Sequence, residues 1–253
     1  SPVSLSVSIM FLTPPVISHS SNMCFKSFSP LPHNLHPLSS SSFQYSLALV
    51  SLPHLNPASI LLSFPFIFPS RYIGRPSFLS EVVFRWGSSN CKGAEHTLNG
   101  TWFTMEAQAI HFNKRYETID NCWDKRDGLA ICAYFLQAYQ VPTWDEHPLF
   151  SKITDDLHKV TQPDSFIKLS PSMSPSFFSK QACQTPGYYT YLGSITTFPF
   201  HECVTWIVFP EPVRISENQT ELFRMIRDKQ GMCIKENYRE VQKLGGRVVY
   251  YVN

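Results

Sequence analysis

The side chains of this chain that could do chemistry crowd into one stretch. Between residues 85 and 111 stand Arg85, Cys91, Glu95, His96, Glu106, Gln108 and His111. Cysteine and histidine are the ligand types that zinc prefers, and a carboxylate behind a histidine orients it. Arg85 is a permanent cation with five donors and no acceptor. Further on, Gly193 to Pro199 sets the hydroxyls of Ser194, Thr196 and Thr197 close together. Metal or acid–base chemistry requires such groups to converge, so the elements that carry them decide what they can do.

The chain has 253 residues, of which 43% are hydrophobic, enough to bury a sizeable core. Its 21 basic and 19 acidic side chains leave a net charge of +2, which gives no electrostatic footprint for nucleic acid. No apolar run reaches the ~20 residues of a membrane helix; Ile60 to Phe68 is short and broken by Pro65. Seven cysteines thinly spread are not a disulfide scaffold. All 19 acids lie at or after Glu81, and before it the only charges are Lys26, Arg71 and Arg75. Residues 1–79 are rich in Ser and Pro, without a period of 2 or 3.6. Prolines at that density interrupt helices and ladders alike. The expectation is an unstructured or non-native leader over 1–79, followed by a folded domain over 80–253. A weak signal-peptide core at residues 3 to 12 lacks its basic flank.

From Glu81 onward the texture is that of a β-rich domain with a few short helices. Strands are expected at Val82–Trp86, Thr101–Phe112, Leu129–Gln137, Tyr188–Tyr191 and Val204–Phe209, from β-branched and aromatic runs bounded by turn residues. Helices are expected at Ser151–Val160 and Glu217–Arg227, the second capped by Ser216.

Four ordered blocks then make the reading specific. The run Phe84-Arg85-Trp86-Gly87, continued by Gly93-Ala94-Glu95-His96-Thr97, closely resembles the α-carbonic anhydrase signature F-H-F-H-W-G … G-S-E-H-T. Met105 to Asn113 resembles that family's E-L-H-L-V-H-W-N, and Gly193 to Pro199 its G-S-L-T-T-P-P. Asn237 to Gln242 is similar to the family's closing N-[FWY]-R-P-x-Q. The resemblance spans Glu81 to about Val249 and leaves out residues 1–79. It implies a large twisted, mostly antiparallel sheet with helices on its surface. It also implies carbon dioxide hydration at a zinc ion held by three histidines, two at i and i+2 on one strand and the third on the next. Complete members carry further strands and an aromatic cluster ahead of the first zinc strand. Here that space holds Ser/Pro-rich sequence, so the N-terminal portion of the fold is expected to be missing.

The ligand positions implied by the resemblance are Val83, Arg85 and Gln108, and none is histidine. Valine has no lone pair, arginine is a cation without an acceptor, and glutamine offers only a neutral amide oxygen. The expectation is therefore no metal and no cofactor. By the same resemblance His96 and His111 are structural, and with Cys91 they form no replacement site. Around the altered positions the resemblance implies a vestigial gatekeeper pair, Thr196 and Glu95, and Glu106 as the carboxylate behind a ligand. A vestigial pocket would comprise Ile110, Ile131, Ile195, Thr197, Val204 and Trp206, whose alternative role is core packing. Phe198 replaces the first proline of the T-T-P-P element. Uncompensated buried carboxylates are costly, so Arg85 is expected to fill part of the metal cavity and pair with Glu106, with Gln108 completing the network. The competing expectation is an exposed Arg85.

The reading that follows is a carbonic anhydrase-related protein without activity, acting through an unknown protein partner, with no nucleic acid and no membrane span. The alternatives are a zinc-dependent carbonate dehydratase and a non-functional truncated product. The cysteine of a disulfide common in extracellular members is matched by Phe200, and no clear signal is present, which places a cytoplasmic location ahead of a secreted one. Two sequons, at Asn99 and Asn218, point the other way. The Arg224–Arg227–Lys229 cluster reads as a solvated helix face.

Overall fold

The computed structural model describes residues 47–51, 60–62, 66–67, 74–142, 145–163, 165–169 and 187–253. Most of the expected leader lies outside the described residues. Within it are the short strands β1 (Leu47–Ser51), β2 (Ile60–Leu62) and β3 (Phe66–Ile67). The main strands are β4 (Ser77–Trp86), β5 (Met105–Asn113), β6 (Leu129–Tyr139), β7 (Phe166–Leu169), β8 (Tyr188–Gly193), β9 (Val204–Ser216) and β10 (Tyr250–Val252). One sheet runs β10-β8-β9-β6-β5-β4-β3, and a small one runs β2-β1-β7. Every pairing in the large sheet is antiparallel except β6 with β9. The large, mostly antiparallel sheet agrees with the architecture expected from sequence.

Both faces of the sheet are buried, each by its own core. On one face Val82, Phe84 and Trp86 of β4, Ala107 of β5, Tyr134 of β6 and Phe209 of β9 pack under the helices. Those helices are α1 (Pro148–Thr154) and α2 (Glu217–Arg224), which contribute Phe150, Ile153 and Phe223. Phe84 and Trp86 bring their rings to 5.2 and 5.6 Å from that of Phe223. The opposite face carries Ile131, Ala133 and Phe135 of β6 with Val204, Trp206 and Val208 of β9, and the chemistry lies on this side. Burial on both sides explains why β6 reads as an unbroken apolar run rather than an alternating one.

The helix expected over Ser151–Val160 is instead α1 followed by a 3₁₀ turn at Leu157–Val160. Pro148 occupies the first helical position, where its missing N–H is no loss, and the His147 ring caps the Phe150 N–H at 3.3 Å. Ser216 caps α2 as expected. Its Oγ accepts from Gln219 N at 3.0 Å, and Gln219 Oε1 returns the bond to Ser216 N at 3.0 Å, a complete capping box. The helix stops at Arg224, three residues before the expected end. Among the described residues no helix is long and apolar enough to cross a membrane.

Candidate functional site

The site is built on β4 and β5. Val83 lies directly opposite Gln108, and Arg85 directly opposite Glu106. Opposed residues share a face, and residues two apart on one strand do so as well. The register therefore puts Val83, Arg85, Glu106 and Gln108 on the second-core side of the sheet. A bulge at Ser80, between the pairs Leu79–His111 and Glu81–Ile110, brings Glu81 round to the same side. Ile110 opposes Ile131, which opposes Trp206, and Val204 opposes Leu129, so four of the six expected pocket residues line one continuous surface. The other two, Ile195 and Thr197, sit with Thr196 on the loop after β8. Ile195 is buried, whereas Thr196 and Thr197 are half-buried.

Arg85 is 4% exposed. Its guanidinium lies between Glu95 and Thr196. Nε stands 3.4 Å from Glu95 Oε1, Nη2 donates to Thr196 Oγ1 at 3.2 Å, and Nη1 donates to the Asn237 carbonyl at 3.5 Å. The expected partner, Glu106, is corrected to Glu95. Glu106 is the nearer residue in register, yet its oxygens are already spent. Oε2 accepts from the backbone N–H groups of Glu95 and His96 at 3.0 and 2.9 Å. Oε1 meets His96 Nδ1 at 2.8 Å and Gln108 Nε2 at 2.9 Å. Burial alone would raise the Glu106 pKa, but the His96 ring and these donors outweigh it and hold the carboxylate below its ordinary range.

Gln108 connects the two acids. The same amide nitrogen donates to Glu95 Oε2 at 2.6 Å and to Glu106 Oε1 at 2.9 Å. His96 extends the network, with Nε2 2.8 Å from the Tyr191 hydroxyl and the ring edge-on to Trp206 at 4.7 Å. The backbone N–H of Arg239 donates to Glu95 Oε1 at 2.8 Å. The Asn237 side chain bonds β4 at both Phe84 O and Trp86 N, at 2.9 and 2.8 Å. Tyr191, Asn237 and Arg239 are the site residues that the sequence did not single out. The closing Asn237–Gln242 block was visible, but nothing in its spacing shows that it folds back onto β4.

His96, His111 and Cys91 do not come together. His111 opposes Leu79 and Ala130, on the helix-covered side, where burial pushes its pKa down to about 4. Cys91 is exposed on the loop between β4 and β5. Among the described residues, no group of three or more His, Cys, Asp and Glu side chains could hold a metal ion. Glu81 is 7% exposed, and burial raises its pKa to about 7, with Arg85 acting in the opposite direction.

A sequence model of eukaryotic-type carbonic anhydrase matches residues 74–253. The chain is 38% identical to carbonic anhydrase 7 of Mus musculus over 182 residues, covering 69% of this chain and 64% of that protein. It is 37% identical to carbonic anhydrase 7 of Homo sapiens, with the same coverage of both. Carbonic anhydrase 6 of Canis lupus familiaris is 34% identical over 179 residues, covering 70% of this chain and 54% of that protein. The chain thus spans less than two thirds of the length of these relatives.

Proposed function

The chain belongs to the eukaryotic-type carbonic anhydrase family, and we propose that within it this protein is a carbonic anhydrase-related protein that holds no zinc, does not hydrate carbon dioxide and acts by binding another protein. The observation that carries this reading is the position of Arg85. Its guanidinium is buried beside Glu95, on the sheet face and strand where the family pattern sets a zinc histidine. A cation fixed there repels a second cation. The neighbouring positions add no ligand. Val83 has no donor atom, and the Gln108 amide nitrogen is committed to Glu95 and Glu106. The donor set does not fit a zinc ion, which takes imidazole, thiolate or carboxylate in a tetrahedral shell.

Arg85 and Gln108 also balance the acids that a metal would otherwise face. Glu95 receives Arg85, the Gln108 amide and the Arg239 N–H, and Glu106 receives four donors. Each oxygen of the two carboxylates is thus engaged by protein groups, which offsets the cost of burying them. A fold kept without its chemistry leaves recognition as its use, and the proposed partner is a protein.

The names of the relatives favour a second reading, a zinc-dependent carbonate dehydratase. Stopped-flow carbon dioxide hydration separates the two. The expected result is no rate above buffer for the natural chain with added zinc, and a zinc-dependent rate only in the triple variant V83H/R85H/Q108H. A chelator-sensitive rate in the natural chain would overturn the proposal.

A further inference from the structure

Two buried thiols lie outside the Arg85 network, at the end of the sheet where the second core closes. Cys122 ends the 3₁₀ turn Ile119–Cys122, and Cys203 stands immediately before β9. They are 0% and 1% exposed, and both belong to the core that holds Leu129, Ile195 and Val204. Neither is in a disulfide. One stretch of backbone touches both. At Gly128 it passes so close to Cys122 that a Cβ placed there would stand 2.9 Å from the Cys122 Cβ. The next residue, Leu129, donates its N–H to the Cys203 carbonyl at 3.0 Å. Above this contact the half-buried rings of Trp123 and His201 stack at 6.1 Å, so the two segments run side by side.

Cys122 Sγ makes only a weak bond, to the Thr118 carbonyl at 3.4 Å. Burial raises both thiol pKa values, that of Cys203 to about 11, and a charge on Cys122 adds to the rise at Cys203. Neither thiol is ionised in the closed structure, and reaction waits on an opening. The 3₁₀ turn provides one. Cys122 is its one buried residue, and Thr118 supplies no side-chain cap. A short surface turn held so lightly opens at little cost, which brings Cys122 to solvent.

We propose that Cys122 and Cys203 join in a disulfide when the chain meets a small-molecule disulfide such as glutathione disulfide. The Cys122 thiolate attacks one sulfur of the oxidant and expels a first glutathione thiolate. Cys203, having given up its proton, then attacks the Cys122 sulfur and expels the second. Two protein thiols are oxidised, one glutathione disulfide is reduced, and the two protons end on the two glutathiones. The product is uncharged and suits an apolar core. It closes a long loop between the end of β5 and the start of β9, the case in which a cross-link restricts the unfolded chain most. It also anchors the far end of the loop from Ser194, whose Thr196 accepts from Arg85. The inference stands apart from the zinc-free reading above.

The test incubates the folded full chain with excess glutathione disulfide at about pH 8, near the ordinary thiol pKa. Free thiols are blocked with iodoacetamide, and the protein is digested without reduction by trypsin and Glu-C. The cut after Glu202 separates Cys203 from Cys183. Mass spectrometry is expected to find the peptide carrying Cys122 linked to the peptide that begins at Cys203. Exposed Cys91 reports that the oxidant is active. Urea unfolding is expected to show a higher midpoint for the oxidised chain, a shift that dithiothreitol reverses and that Cys122→Ala and Cys203→Ala each abolish. The mapping is read on the natural chain, so it stands even where a variant fails to fold. Glutathione on Cys91 while Cys122 and Cys203 both carry the alkyl block would overturn the proposal. A bond from either residue to a different cysteine, or a midpoint shift kept in both variants, would do the same.

Discussion

Replacing Arg85 with methionine removes the charge and keeps most of the side-chain volume, so it isolates the ion pair with Glu95. The guanidinium and carboxylate are 3.4 Å apart, with side chains 5% and 3% exposed. At an effective dielectric of about 20 their attraction is about 5 kcal/mol before any desolvation is counted. Removing one partner of a buried pair costs about 3–5 kcal/mol, because the other charge stays buried. Glu95 keeps two short donors, from Gln108 at 2.6 Å and from the Arg239 N–H at 2.8 Å, which moves the expected loss to the low end, about 3 kcal/mol. Glu95→Gln is expected to cost a comparable amount by leaving the guanidinium uncompensated. The double variant R85M/E95Q should cost less than the sum of the singles by about 1.5 kcal/mol or more, the signature of direct coupling. Urea unfolding followed by tryptophan fluorescence measures all four proteins, with an unchanged slope confirming the same unfolding reaction. Single losses within about 0.5 kcal/mol of zero, the range of a surface substitution, would refute the buried pair. Strictly additive losses would refute the contact.

Two further perturbations follow from the geometry. The folded pKa of Glu81, about 7, lies above its ordinary 4.5, so the folded chain holds a proton that the unfolded chain releases. Its contribution is complete below pH 4.5, falls as pH rises and is lost above about pH 7. Urea midpoints from pH 5 to 8 should show Glu81→Gln gaining on the natural chain by on the order of 3 kcal/mol in total, and parallel profiles would contradict the burial of this carboxyl. Ser216→Ala removes the hydroxyl that caps α2 and also donates to Glu146 at 2.9 Å. Thermal unfolding should register a loss of about 1 kcal/mol, with a smaller loss for Ser216→Asn, which can still cap.

The strands were legible where one residue type dominates. β4, β6 and β9 announce themselves through β-branched and aromatic runs, and Ser216 announces the start of α2. Strand ends were less legible. β5 starts at Met105 rather than Thr101, because Leu98 and Thr101 exchange backbone bonds across the Asn99–Gly100 turn. β9 continues past Pro210 and Pro212 to Ser216, since the register shift against β6 between Tyr134 and Leu136 absorbs the missing donors. β7 and β10 are short, and their sequences carry no alternation to reveal them. In the site, the resemblance to the family pattern marked the positions of Val83, Arg85 and Gln108, but Arg85's partner could not be read. That choice depends on which carboxylate is already saturated, and Glu106 is saturated by the backbone of Glu95 and His96. Backbone donors leave no trace in a sequence.

The central claim, that Arg85 and Gln108 take the place of a metal, is tested most directly by the zinc content of the purified full chain. The protein is incubated with excess zinc, freed of unbound metal by gel filtration and measured by plasma mass spectrometry. The account predicts a zinc content far below one ion per chain, with no change in thermal stability on adding zinc or a chelator. One tightly bound zinc per chain, lost together with stability when a strong chelator is added, would contradict it.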